Sequence, residues 1–394
     1  MQKESLLTRE IQDFISQNTD TDVAVLALQK NKFPTIDWIA ILNQIAARQK
    51  AKTKLPTWFH TKNILYPGKI SMEQTSSEKT AKYKSELVSG EKLIDLTGGF
   101  GVDDYYFAKK IKDVIHCEIN DELSEIVRHN FESLGATNIE CIADDSLKIL
   151  KKSNKKFDWI YIDPSRRNDA KGKVFMLQDC LPNVPELLNF YFEFAPNIMI
   201  KTAPILDITA GLSELSNVTA IHIVAVENEV KELLWILEKN ATVPIQICTA
   251  NLVKDKTETF SFEMNSMENS VSYGFPKKYV YEPNAAIMKS GGFDVIPARF
   301  DLEKLHQHSH LYTSDNLIDF PGRVFKIENS IGYTKTEMKQ FLENKKANIT
   351  TRNFPDSVET IRKKWKIKEG GSLYCFFTTD ANNSKIVLLC SKIQ

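Results

Sequence analysis

Three absences narrow what this chain can be. No run approaches the roughly 18 consecutive apolar residues that a membrane-spanning helix needs. The opening Met-Gln-Lys-Glu-Ser leads into a polar amphipathic stretch and not the apolar core of a signal peptide. A cytoplasmic protein with no membrane partner is expected. The six cysteines, at 117, 141, 180, 248, 375 and 390, form no Cys-x-x-Cys pair. Most fall in strand-like apolar runs, so they read as reduced core residues and not as a disulfide framework or zinc site. Net charge is absent as well, since 51 basic residues balance 51 acidic ones.

That balance is uneven along the 394 residues. Residues 1–90 carry +4 (13 basic, 9 acidic), 91–250 carry −8 (17 and 25), 251–319 carry −3 (7 and 10) and 320–394 carry +7 (14 and 7). An acidic centre between basic flanks points to a polyanion held by the flanks, although a solvated Lys-rich surface accounts for the same charge. Hydrophobic content of 42% and charged content of 26% are those of a globular chain. The length calls for roughly two to four domains.

What is present centres on Leu93 to Asp104, Leu-Ile-Asp-Leu-Thr-Gly-Gly-Phe-Gly-Val-Asp-Asp. An apolar strand, Leu93 to Leu96, breaks into Gly98, Gly99 and Gly101, where a Cβ would obstruct a tight turn or a backbone approaching a ligand. A helical pattern follows from Tyr105. A dinucleotide fingerprint would need a third glycine where Asp104 stands, at a helix start that a pyrophosphate would occupy. A carboxylate there suits a ligand without phosphates and disfavours an NAD-dependent oxidoreductase.

The flanking pattern is alternating α/β. Residues 1 to about 50 read as helices, and Arg48 to Lys54 as a linker or an RNA-facing edge. Thr75 and Glu78 form a capping box, so a helix should begin there with free N–H groups near Gln74, Ser76 and Ser77, a site for a carboxylate. Strands are expected at 114–117, 138–142, 157–162, 198–201 and 218–226. An amphipathic helix through Leu237 and a strand at 245–249 follow, consistent with a mostly parallel sheet. Glu118 ends the second strand, roughly 20 residues beyond Asp95, where nucleoside-binding α/β folds place an acid on the ribose hydroxyls. Asp144 and Asp145 end the third strand. His306, His308 and His310 alternate, but with no Cys or further His nearby no metal is expected.

Asp95, Thr97, Gly99 and Gly101 resemble motif I of class I S-adenosylmethionine-dependent methyltransferases. In RNA methyltransferases a segment like 74–77 precedes motif I and faces the methionine carboxylate of the cofactor. The resemblance places Asp144 on the adenine amine, with Asp145 as a close competitor. Asp163-Pro164 resembles the Asp/Asn-Pro-Pro-aromatic motif of enzymes that methylate exocyclic amines of bases. A carboxylate and a backbone carbonyl accept the two N–H groups there and favour the nitrogen that attacks. Ser165 and Arg166 depart from that motif, replacing the second proline and the stacking aromatic. A guanidinium can stack on a base, hold a phosphate bidentately, or join Arg167 in pairing with Asp169.

As a set, Asp-Pro-Ser-Arg-Arg, Ser76 to Ala81, Lys201 to Asp207, Tyr281 to Ala286 and Arg352 to Pro355 resemble a bacterial group of class I methyltransferases with a THUMP-like C-terminal domain. The resemblance implies an α/β chain: a Rossmann-like seven-stranded class I methyltransferase core at 71–263, behind an N-terminal helical region at 1–70. Small α+β modules follow, a ferredoxin-like one at 273–320 and a THUMP-like domain at 321–394. It also implies S-adenosylmethionine as cofactor and structured RNA, tRNA or rRNA, as partner. In the last module a helix from Asp356, with Glu359 as capping partner, is expected. Arg352, Arg362, Lys363 and Lys364 are the candidate phosphate contacts there, giving salt-dependent and weakly sequence-selective RNA binding. A catalytically silent RNA-binding or assembly protein that keeps a cofactor pocket is the alternative.

Overall fold

Leu93 and Ile94 are fully buried, as in a parallel strand covered on both faces, and the first sheet is assembled around them. The computed structural model describes residues 3–153, 155–166, 176–254, 256–265 and 271–393. Two units divide the chain, residues 1–219 with 233–243 and residues 220–232 with 244–394. In the first, β1 (Lys92–Asp95), β2 (Asp113–Glu118), β3 (Ile139–Ala143), β4 (Trp159–Ile162) and β5 (Asn197–Thr202) are parallel. Their order is β3-β2-β1-β4-β5. The chain winds one way from β1 to β3 and the other way from β4 onward. At such a switch point, outside the carboxyl ends of the strands, open α/β sheets take ligands.

β6 (Val218–Val226) follows, and β7 (Glu229–Glu238) runs antiparallel to β5 with Leu233 opposite Thr202. The expected helix through Leu237 is therefore a strand. Leu233, Leu234, Trp235, Ile236 and Leu237 are all buried. A surface helix would turn some of five consecutive residues to water, whereas a strand covered on both faces buries every one.

Helices α1 (Arg9–Gln17), α2 (Trp38–Lys54), α3 (Glu78–Ser85), α4 (Val102–Phe107) and α5 (Asp121–Ser133) complete the description of this unit that the site requires. Ile11, Ile15, Ile41, Ile45 and Trp58 join Phe100, Val102, Val127 and Phe131 in one apolar core. The Asn130 side chain on α5 both accepts from the Leu65 N–H (3.0 Å) and donates to the Leu65 carbonyl (2.8 Å). The N-terminal helices thus share a core with the helices that follow β1 and β2. Arg48 to Lys54 proves to be the end of α2 and not a linker. Ala47 and Ala51 continue its buried face, Lys50 and Lys52 pair with Glu73 and Asp20 at 2.7 and 2.8 Å, and Arg48 lies 4.6 Å over the Phe59 ring.

In the second unit β6 pairs in parallel with β8 (Gln246–Val253), and β9 (Lys256–Glu263) lies antiparallel to β8. A second sheet contains β10 (Tyr279–Pro283), β11 (Tyr312–Ser314), β12 (Gly322–Gly332), β13 (Asn348–Thr351), β14 (Leu373–Thr379) and β15 (Lys385–Lys392), in the order β11-β10-β12-β15-β14-β13. Its strands alternate as the pleat demands. Phe377 and Leu389 pack with α6 (Lys335–Phe341) and α7 (Val358–Trp365) through Met338, Ile361 and Trp365. Their neighbours Phe376 and Leu388 pack in a separate cluster with Val280 and Phe325. The cap of α7 is Ser357, whose hydroxyl accepts from the Thr360 N–H at 3.2 Å. Asp356 is engaged by the Tyr333 hydroxyl instead, at 2.8 Å. All six cysteines are free thiols. Among the described residues no helix is long and apolar enough to cross a membrane.

Candidate active site at the switch point

The residues after β1 and β4 are tied together by one hydroxyl. Asp95, 1% exposed, ends β1, and its Oδ1 accepts from the Thr97 N–H (2.7 Å) and the Thr97 hydroxyl (3.1 Å). The same Thr97 hydroxyl oxygen accepts from the Asp163 N–H at 2.7 Å. The Gly-rich turn and the Asp-Pro turn are thereby fixed to one another across the switch point. Glu118, at the end of β2, holds the turn from the other side. Its Oε2 accepts from the Gly99 N–H (3.0 Å) and its Oε1 from the Asn120 N–H (2.8 Å). Each oxygen keeps a second lone pair.

The glycines are needed for two reasons. Gly99 and Gly101 have φ of +57° and +73°, which L side chains rarely adopt. Gly98 has the His116 imidazole directly beneath it, and a Cβ there would lie 2.2 Å from the ring.

Under the turn lies a buried network of titratable groups. His116 Nδ1 is 2.6 Å from Asp104 Oδ2, and both residues are fully buried. Burial, with the neighbouring Asp103 charge, pushes the Asp104 carboxyl well above the usual carboxylate range. Burial and then the Asp104 charge do the same to Asp95, and burial holds the imidazole of His116 below its ordinary value. Asp104 is therefore not presented to a ligand at all. The expectation that it would repel a pyrophosphate is corrected, because the first turn of α4 points its carboxylate inward.

Asp103 behaves oppositely. Burial raises it, but the Lys84 and Lys201 charges and the hydroxyls of Tyr161 and Ser76 outweigh burial and hold it below the usual range. Lys84 Nζ, with no exposed side-chain surface, is 3.2 Å from Asp103 Oδ1. Tyr161 and Ser76 each donate to Asp103 Oδ2 at 2.8 Å.

Other candidate residues are placed as follows. Ser77, and not Thr75, caps α3, accepting from the Thr80 N–H at 3.2 Å. Glu78 is taken by the Thr57 N–H and hydroxyl and by the Tyr106 hydroxyl. Gln74 is exposed at the end of a short preceding helix, Lys69–Gln74. Asp145 caps the helix Ser146–Lys152, which leaves Asp144 as the outward-facing acid. The Asp145 N–H, then the lysine charges at 148 and 152, hold Asp144 below the usual range. Asp163 follows β4 with its side chain 37% exposed, ion-paired with Lys201 at the end of β5. The backbone of Ser165 and Arg166 pairs antiparallel with Leu181 and Cys180, beyond Pro164. Arg167 and Asp169 lie outside the described residues.

Comparisons with known proteins give the family. A ferredoxin-like domain family matches residues 279–321 and a THUMP domain-like family residues 322–392. A crystal structure from Porphyromonas gingivalis W83, assigned as a methyltransferase, is 32% identical and superposes with a TM-score of 0.87, covering 99% of both chains. The chain belongs to this methyltransferase family, with a THUMP-like C-terminal domain. A Mycoplasma mobile protein named as an uncharacterised RNA methyltransferase is 33% identical over 84 residues, 21% of this chain and 23% of that relative's length. In this member of the family, Asp95, Thr97, Gly99, Glu118 and Asp163 meet at the switch point. The candidate RNA contacts are a separate group in the second unit. Arg352 is bound by Glu282 at 2.8 Å, Arg362 donates to the Ala347 carbonyl at 3.2 Å, and Lys364 lies 5.0 Å over the Tyr333 ring. Lys363 is exposed. Sequence reasoning missed Lys84, Asp103, His116 and Lys201. The one available signal was a lysine near the end of an otherwise apolar strand, at 201.

Proposed function

We propose that the protein transfers a methyl group from S-adenosylmethionine to an exocyclic amine of a base in structured RNA, tRNA or rRNA. The observation that carries this reading is the Thr97 bridge between the Gly-rich turn and the Asp163 N–H. It joins the turn that would cradle the nucleoside to the turn that carries the Asp163 carboxylate. The donor set fits the cofactor. Acids end three successive parallel strands, at Asp95, Glu118 and Asp144, with no cation on the glycine turn. That suits hydroxyls and an amine better than phosphates.

In this reading Glu118 accepts the ribose hydroxyls with its remaining lone pairs, and Asp144 accepts from the adenine amine. Gln74, Ser76 and Ser77 border the carboxylate end. Ser76 does so through its backbone, since its hydroxyl is committed to Asp103. The cofactor supplies an electrophilic methyl on a sulfonium. Asp163 and the backbone at Pro164 orient the acceptor amine, and Ser165 and Arg166 border the base. Placement alone can supply about 7–11 kcal/mol of the barrier, so no strong base is required. Arg352, Arg362, Lys363 and Lys364 would add phosphate contacts.

Calorimetric titration with S-adenosylhomocysteine, with NAD as control, tests the cofactor. Wild-type protein is expected to bind the former only, and Glu118→Ala to lose at least about tenfold in affinity, the cost of one charged hydrogen bond. Folded protein that binds neither ligand would instead favour the silent RNA-binding alternative. Mass analysis of the methylated nucleoside, in RNA from cells lacking the protein, then tests whether the acceptor is an amine.

A further inference from the structure

The geometry points to Lys201 as the residue that fixes the Asp163 carboxylate in the acceptor crevice, with Asp103 and Lys84 behind it. The inference rests on the acceptor role proposed for Asp163.

Four side chains of alternating charge run from the core to the crevice. Lys84 on α3 is wholly buried and 3.2 Å from Asp103 Oδ1 on α4, whose side chain is 11% exposed. The Lys201 charge also acts on Asp103. Lys201 itself, at 12% exposure, is ion-paired with Asp163 Oδ2. The innermost members are rigid because Tyr161 and Ser76 hold Asp103 from two further elements, β4 and the segment before α3. Asp163 is the outermost of the four, and Lys201 is its ion-pair partner.

Asp163 needs this support. Its backbone N–H is fixed by Thr97, but a carboxylate three bonds further out can still rotate about its side-chain torsions. An ion pair on Oδ2 removes that freedom and directs Oδ1 away from Lys201, where it can accept an N–H of the amine. A neutral residue at 201 could fill the same volume between β4 and β5, but it could not orient a carboxylate. Misplacement of a reacting group by about 1 Å can cost on the order of a hundredfold in rate, so a positioning residue here should act on kcat and spare substrate binding.

Lys201→Met and Lys201→Arg in the full chain test this. Methyl transfer from labelled S-adenosylmethionine to RNA from cells lacking the protein gives kcat and KM, and calorimetry gives S-adenosylhomocysteine affinity. Lys201→Met is expected to lower kcat about a hundredfold while the RNA KM and the S-adenosylhomocysteine affinity stay within about threefold. Lys201→Arg should recover most of the loss. Wild-type kcat in Lys201→Met would overturn the inference and leave the proposed function standing. So would equal loss in both variants with a parallel fall in S-adenosylhomocysteine affinity, which marks a merely structural lysine. Wild-type protein that binds the ligand but methylates no RNA removes the proposed function, and this inference falls with it.

Discussion

The acids of the first sheet and the basic residues of the last module are singled out by the same sequence, and they end in opposite situations. Asp95, Glu118 and Asp145 each accept backbone N–H groups within a few residues of a strand end. Their positions follow from local geometry, because a parallel strand that stops at a ligand crevice leaves N–H groups for an acid to satisfy. Arg352 and Arg362 are drawn instead to a buried carboxylate and to backbone carbonyls within their own unit. Charge density announces them, but it carries no information about geometry. A residue's place relative to a strand end is therefore a better guide to its partners than the sign of its neighbourhood.

The strongest way to break the comparison is to remove the cation that makes the acidic region tolerable. Lys84→Met leaves Asp103 buried without its nearest counter-charge, and is expected to cost about 3–5 kcal/mol of unfolding free energy, read from the denaturant midpoint. A loss below about 1 kcal/mol would mean that Tyr161, Ser76 and Lys201 suffice for Asp103.

A change of pH should separate the two units at an intermediate level. His222 on β6 is held down at about 4 by burial. A depressed folded value contributes stability that is present above the unfolded value near 6.5 and is lost as pH falls toward 4, at most about 3 kcal/mol. In the first unit His116 has the same sign, but Asp95 and Asp104 have raised values and bind protons in the folded state, which offsets it. Protection from hydrogen exchange, taken relative to the intrinsic rate at each pH, should therefore fall between pH 6.5 and 4.5 more in β8 than in β1 and β2, and His222→Gln should remove the difference. An equal loss of protection in all three strands would contradict this account.

The smallest effect is expected on the basic side. Lys363→Gln should leave stability within about 0.5 kcal/mol. If Lys363 touches phosphate, the slope of log affinity for RNA against log salt should fall by about 1. An unchanged slope would remove it from the RNA surface.

Much of the candidate site was legible because its parts are covalently close. Strand, glycines, Asp95 and Thr97 fall within a few residues, and Glu118, Asp144 and Asp163-Pro164 each end a recognisable apolar run. Lys84, Asp103 and Lys201 were not legible, because what makes each one matter is a partner on another element. Capping was read one position or more off, at Thr75 for Ser77 and at Asp356 for Ser357. Neighbouring residues satisfied the same local rule, and long-range partners of Glu78 and Asp356 decided between them. β7 was misread because Leu233 to Leu237 carry no period, and burial on both faces is a property of the sheet and not of the segment.

Glu282, 2% exposed on β10, carries a further consequence. Its carboxylate is shared by Arg323 on β12 and by Arg352 just beyond β13. The acid belongs to the ferredoxin-like match and both arginines to the THUMP-like one. The junction between Pro321 and Gly322 is thus a seam of homology that is not a seam of folding. A fragment cut there would strand an anion on one side and two cations on the other, so the two modules are expected to be inherited, expressed and unfolded as a single piece.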